Sequence, residues 1–444
     1  MKHSLHKSFV ILLAAMVMMV SIIAKPFTAN AAETLDIEAE SAILVDANTG
    51  KILFAKNADV ALPPASMTKM MTEYLVWEAI EKGQISWDTT TQISDYPYSI
   101  SANASFSGIG LEQSKDYKVK DLYNAMAINS DNATSIALAE LIAGSEAEFV
   151  KMMNKKGEEM GLPDFKFVNS TGLDNESLGK NHPEGTDPNG TNLLSAESAA
   201  LLAYHLVNDY PESLEVSSMP STEFDGKEIR NWNHMLPHKT TFLEQFYYEG
   251  VDGLKTGYTD LAGYCFTGTA KKNNQRLISV VMQTDSEEKR FEETAKLFNY
   301  GFQQFESTEV FPAGHQVKGK SSLPVAKGKE DQVDISIKEG ITIPIKPNEK
   351  DKYSMEYTIN KDLLNKEGKL TAPIKKGEKI GTAQLKYKGE NDYGYIIKDS
   401  NSTVDVVANE TVEKSNWFML TLGAIGDFFA DLFTTVVDWV KGLF

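Results

Sequence analysis

Apolar and polar positions along this chain change their period twice. Ser41-Ala42-Ile43-Leu44-Val45-Asp46 and Lys51-Ile52-Leu53-Phe54-Ala55 flank the turn-rich Ala47-Asn48-Thr49-Gly50, which predicts a hairpin. Helical spacing follows at 67–81, 119–128, 133–143, 146–160 and 196–206. Three β-prone runs at 250–256, 263–271 and 276–283 then predict successive strands, and 286–304 a closing helix. Strands at both ends with helices between predict an antiparallel sheet packed with helices, an α/β (α+β) domain over 32–306. Beyond it the pattern alternates without long helices: Val333, Ile335 and Ile337, then Ile341, Ile343 and Ile345, then Met355, Tyr357 and Ile359. That predicts a small all-β domain over 307–405 and a linker at 406–416.

The two ends differ from the middle. Lys2 and Lys7 precede an uncharged run from Phe9 to Ala24, and Ala29-Asn30-Ala31 supplies a small-residue cleavage site, so 1–31 is expected to be a secretory signal peptide. At the other end, 417–444 places Asp427, Asp431, Thr434, Thr435, Asp438 and Lys441 on one arc of a helical wheel, opposite an apolar face. Its longest uncharged run, 415–426, is too short to span a bilayer, so an amphipathic helix lying in the membrane interface is expected. The protein is then exported and held peripherally on the outer face of the cytoplasmic membrane.

Composition narrows the partners. A formal charge of −18, which becomes −21 without the three lysines of 1–31, disfavours nucleic acid, because phosphate is repelled. The single cysteine, Cys265, lies in an apolar β-prone run and reads as a buried core thiol.

Candidate chemistry rests on order. S-x-x-K occurs at Ser4, Ser66, Ser177 and Ser286; Ser4 leaves with the signal peptide, and Ser66-Met67-Thr68-Lys69 follows Pro63-Pro64-Ala65 and opens a strong helix. There a backbone N–H at the helix start can stabilise an oxyanion, and Lys69, three residues on, shares the face of Ser66. A lysine acts as a base only when neutral, which burial and a nearby second cation favour. Ser130-Asp131-Asn132 falls between two helices, and Lys255-Thr256-Gly257 ends a predicted strand. Lys255 offers the second cation, Thr256 a donor for a carboxylate, and Gly257 room for a substrate backbone. Within the chain after residue 31, only Ser66 is followed by S-x-N and then by K-T-G.

These three motifs together resemble the active-site serine penicillin-recognising enzymes. With the export signal, the β-rich segment containing Ala372-Pro373-Ile374-Lys375-Lys376-Gly377 and the terminal helix, the chain resembles the low-molecular-mass penicillin-binding proteins, serine D-alanyl-D-alanine carboxypeptidases. That resemblance implies a serine β-lactamase/transpeptidase-like domain. It implies Ser66 as nucleophile, Lys69 as its base, and Ser130 as a proton relay with Lys255 to the leaving amine. Asn132 would hold the stem-peptide amide, Ser66 and Tyr258 would supply the oxyanion-hole N–H groups, and Thr256 and Arg290 would bind the free carboxylate. The implied partners are peptidoglycan stem peptides ending in D-Ala-D-Ala and β-lactam antibiotics, with no cofactor or metal.

Other readings stay open beside it. A class A β-lactamase shares the motifs but carries Glu-x-x-x-Asn before K-T-G, and neither Glu176 nor Glu184 in the loop 169–192 has Asn four residues on. A transpeptidase or endopeptidase differs only in what enters the cleft, and a membrane-tethered wall-binding protein is the non-enzymatic alternative. His234 and His238 are four apart, but Pro237 breaks a helix between them, which disfavours a shared metal. The run Glu287-Glu288-Lys289-Arg290 reads as solvated helix face apart from Arg290.

Overall fold

The computed structural model describes residues 35–397 and 402–416, together with 433, 435 and 437. The signal peptide expected at 1–31 lies outside the described residues, as does the helix expected at 417–444 apart from those last three, which are helical. Among the described residues no helix is long and apolar enough to cross a membrane.

The predicted hairpin forms as β1 (Ser41–Asp46) and β2 (Ile52–Lys56). It joins β3 (Val251–Thr259), β4 (Gly263–Lys272) and β5 (Gln275–Thr284) in one antiparallel sheet, ordered β2-β1-β5-β4-β3. The first strand therefore closes on the last, with Ser41 opposite Met282 and Asp46 opposite Leu277. Alternation sorts the two faces of the sheet. Ile43, Val45, Ile278, Val280 and Met282 enter the core beneath the central helices. Leu44 and Leu277 point the other way, onto Gly301 of the closing helix, where an added methyl would lie 2.5 Å from Leu277.

The six longest helices among the described residues are α1 (Lys69–Glu81), α2 (Val119–Asn129), α3 (Asn132–Ala143), α4 (Glu146–Met160), α5 (Ala196–Asp209) and α6 (Glu287–Gln304). Asp131, Ser145, Ser195 and Ser286 cap α3, α4, α5 and α6, each accepting from a backbone N–H three residues on. Every residue from Lys69 to Val76 is buried, because α1 runs between two cores. Met70, Met71 and Leu75 pack on the sheet side, while Val76 and Ala79 pack with Leu122, Met126, Ile136 and Leu138 in a second, mainly helical core. A helix buried on both sides brings its first turn to the seam between those cores.

The second domain is a β-structure. β6 (Glu306–Phe311) pairs with β9 (Ile341–Ile345). β7 (Ser322–Ala326), β8 (Gln332–Ile337), β10 (Tyr353–Ile359), β11 (Leu370–Thr371), β12 (Lys379–Tyr387) and β13 (Thr403–Ala408) form a sheet ordered β10-β12-β13-β8-β7-β11. Val333, Ile335, Ile343, Ile380, Val406 and Val412 fill its core. The linker expected at 406–416 is corrected here: 406–408 complete β13, and Val412 is fully buried and bridges to Ile374. Those apolar residues have a core to fill, so the β-domain runs on past 405. The domain also reaches back to the hairpin. Ile396 lies in the sheet-side core of the first domain, its N–H donating to Gly50 O at 2.9 Å, while Ile52 N–H donates to Gly394 O at 3.0 Å.

Candidate active site

Ser66 sits in a 3₁₀ turn, Ala65–Thr68, that leads directly into α1. Two glycines let the chain close around that turn. A methyl on Gly172, where φ is +88°, would lie 1.9 Å from Ala65 O, and one on Gly257 would lie 2.4 Å from Pro64 O. At Gly257 the close approach within the chain is to the serine turn itself.

Lys69 is fully buried one turn below, and its Nζ has three oxygens in reach: Ser66 Oγ at 2.9 Å, Asn132 Oδ1 at 2.8 Å and Thr171 O at 2.7 Å. A neutral amine has two N–H bonds and one lone pair, which matches two carbonyl acceptors and one hydroxyl donor. Burial first, and then the Lys255 charge, hold Lys69 well below the usual lysine range, against the opposing charges of Asp131, Glu73 and Glu146. Asn132 accepts from Lys69 and donates through Nδ2 to Ser107 O at 3.2 Å, so in the free protein its amide engages the chain itself.

Thr171, missed from the sequence, belongs to a buried polar loop. Asn169 Oδ1 accepts from Thr171 N, Thr171 Oγ1, Gly172 N and Asn192 Nδ2 at 2.8–3.1 Å. Glu146 accepts from Ser170 N and Oγ at 2.9 and 2.6 Å. The polar run Asn169-Ser170-Thr171-Gly172 signalled a turn, but its contact with Lys69 spans 102 positions.

Ser130 ends α2 in the left-handed region, φ +62°, and Asp131 at once caps α3. That junction places Ser130 on the wall of the cavity that Ser66 also lines. Lys255, on β3, is 2% exposed, and burial lowers its ammonium to about 8, opposed by Glu73. Glu73, one turn beyond Lys69 on α1, is buried, accepts from Tyr123 Oη at 3.3 Å, and is raised by burial to about 7.

Ser66, Ser130, Thr256, Gly257, Tyr258 and Arg290 line one cavity of 240 Å³, together with Ser107, Trp232, Tyr264 and Glu287. Lys69, Asn132 and Lys255 lie buried around it. Arg290 is 3% exposed, its Nη1 3.4 Å from Gly257 O and its Nη2 2.6 Å from Glu287 Oε1. Glu287 is only partly solvated, because α6 starts at the cavity wall. Trp232 also borders a second cavity of 530 Å³ and donates its indole N–H to Asn129 O at 2.8 Å. Cys265 is fully buried within β4, and burial raises its thiol to about 11. Among the described residues no three potential ligands gather for a metal.

A hydroxyl paired with a buried amine, beside a second serine and a cationic strand, defines an active-site serine hydrolase built for acyl transfer. The family described as D-alanyl-D-alanine carboxypeptidase, peptidase S11, matches residues 27–286, and the penicillin-binding protein 5 C-terminal domain matches 305–414. The chain belongs to the D-alanyl-D-alanine carboxypeptidase family. It is 33% identical to D-alanyl-D-alanine carboxypeptidase DacF of Bacillus subtilis, over 88% of this chain and 90% of that one. A crystal structure of a peptidoglycan synthesis regulatory factor (PBP3) from Streptococcus pneumoniae matches with a TM-score of 0.67 and 36% identity, over 85% of this chain and 99% of that one. Penicillin-binding protein D2 from Listeria monocytogenes, solved in its cefotaxime-bound form, matches at a TM-score of 0.51 and 33% identity, over 60% and 98%.

Proposed function

We propose that the protein removes the terminal D-alanine from peptidoglycan stem peptides ending in D-Ala-D-Ala, through an acyl-enzyme on Ser66. The observation that carries this is the 2.9 Å contact between Lys69 Nζ and Ser66 Oγ, with Asn132 Oδ1 and Thr171 O also within hydrogen-bond reach of the amine, where in its neutral form they take its two N–H bonds. The Lys69 lone pair then faces the hydroxyl and takes its proton as Oγ attacks the penultimate carbonyl. The backbone N–H groups of Ser66 and Tyr258 receive the oxyanion. Ser130, with Lys255, passes a proton to the departing D-alanine amine, and Thr256 and Arg290 hold its carboxylate. Water then releases the shortened peptide and restores Ser66.

β-Lactams carry a carboxylate next to a strained acyl group and acylate the same Ser66. The signal peptide at 1–31 and the helix at 417–444 put this chemistry on the outer face of the cytoplasmic membrane, with the catalytic domain at 32–306. The test is release of free D-alanine from diacetyl-Lys-D-Ala-D-Ala by the purified protein beside Ser66→Ala. Release that is lost in the variant and blocked by penicillin is the expected outcome. Absence of release, with penicillin still covalently bound at Ser66, would replace this reading with an acceptor-dependent transpeptidase.

A further inference from the structure

Arg290 and Glu287 share the wall of the cavity that holds Ser66, yet they are built differently. The Arg290 side chain is 4% exposed, whereas that of Glu287 is 38% exposed. Arg290 is fixed between aromatic rings, its guanidinium carbon 4.8 Å from the Phe291 centroid and 5.7 Å from that of Tyr264. Its Nη1 meets only the Gly257 carbonyl at 3.4 Å, and among the described residues its buried Nε has no hydrogen-bond partner. Glu287 Oε1, at 2.6 Å from Nη2, supplies the carboxylate on this guanidinium. A cation this deeply buried needs counter-charge; the Glu288 carboxylate contributes some, but the one carboxylate hydrogen-bonded to the guanidinium belongs to the partly exposed Glu287.

We propose that Glu287 is an internal competitor for the carboxylate subsite: it occupies Arg290 in the free protein, and the terminal carboxylate of an incoming peptide must displace it. This inference rests on the proposed reading of the cavity as a site for peptides with a free C-terminal carboxylate. Arg290 and Thr256 line the same cavity, so a ligand carboxylate that reaches both arrives beside the Glu287 charge. Like charges so close oppose each other unless Glu287 swings out to solvent, where the N-terminus of α6 still favours its charge. When the D-alanine product leaves, Glu287 returns to Arg290, which spares the guanidinium a buried, unpaired state. Glu287 is thus a specificity-determining residue that weakens ground-state binding of anionic ligands and eases product release.

The test compares wild type with Glu287→Gln and Glu287→Ala, and with Glu292→Gln as an exposed control that makes the same charge change. Each is assayed on diacetyl-Lys-D-Ala-D-Ala as the free acid and as its C-terminal amide. Removing the competitor is expected to lower KM for the free acid about fivefold in both Glu287 variants, while KM for the amide and for the Glu292 control stays put. A KM that rises, stays unchanged, or shifts equally for acid and amide overturns the proposal, since Glu287 would then merely orient Arg290. If wild type releases no D-alanine, the carboxypeptidase reading fails by itself. Acylation of Ser66 by benzylpenicillin, which also bears a carboxylate, then carries the Glu287 test: about fivefold faster acylation in Glu287→Gln is expected, and an equal or slower rate refutes it.

Discussion

Lys69, Lys255 and Glu73 form a buried set in which each charge determines the others. Lys255 helps to keep Lys69 neutral, and Glu73 helps to keep Lys255 charged. Acylation needs both states, so kcat/KM should follow a bell. It is lost on the acid side as Lys69 takes a proton, and on the alkaline side as Lys255 gives one up at about pH 8. Glu73→Gln removes the charge that favours the Lys255 ammonium. Its alkaline limb is expected to move towards acid by about one pH unit, with little change in the midpoint of thermal unfolding. A limb that stays in place while the midpoint falls would make Glu73 purely structural.

At the scale of elements, legibility followed sequence distance. S-x-x-K lies within one helical turn and S-D-N at one helix junction, and K-T-G ends one strand, so local spacing revealed all three. Thr171 and Glu73 stayed hidden because each acts through tertiary contact, a distant loop carbonyl and the buried face of α1; Glu287 meets Arg290 within one turn, but that α6 starts at the cavity wall was not visible in the spacing. The sheet and its closing helix were readable from periodicity, whereas the end of the β-domain was not, since Val412 pairs singly with Ile374 outside any alternating run. The loop that brings Thr171 to Lys69 hangs on Asn169. Replacing Asn169 with Ala strands several buried donors and should cost about 3 kcal/mol of stability, read by urea unfolding. Penicillin acylation should slow more than tenfold at temperatures where the variant is folded, because the carbonyl that orients Lys69 is released; an unchanged rate would remove the loop from the mechanism.

For the whole molecule, the β-domain is tied to the catalytic domain by backbone bonds at Gly50 and Ile52 and by Ile396 in the sheet-side core. Lys51, between those two residues, sends its Nζ to Pro344 O at 3.1 Å and also to Tyr353 Oη. Ile396→Ala empties part of the catalytic domain's core from the side of its neighbour. It is expected to destabilise that domain by about 3 kcal/mol, seen as an earlier calorimetric transition, while penicillin acylation below that transition is preserved. Two unchanged transitions would show that the domains are stable independently.

Cys265 has a further consequence for the molecule as a whole. A lone thiol, fully buried and held protonated up to about pH 11, cannot react with an alkylating reagent in the closed state. The chain therefore carries its own clock. The rate at which iodoacetamide labels that sulfur reports how often β4 parts from its neighbours, with no engineered probe and no background from a second cysteine.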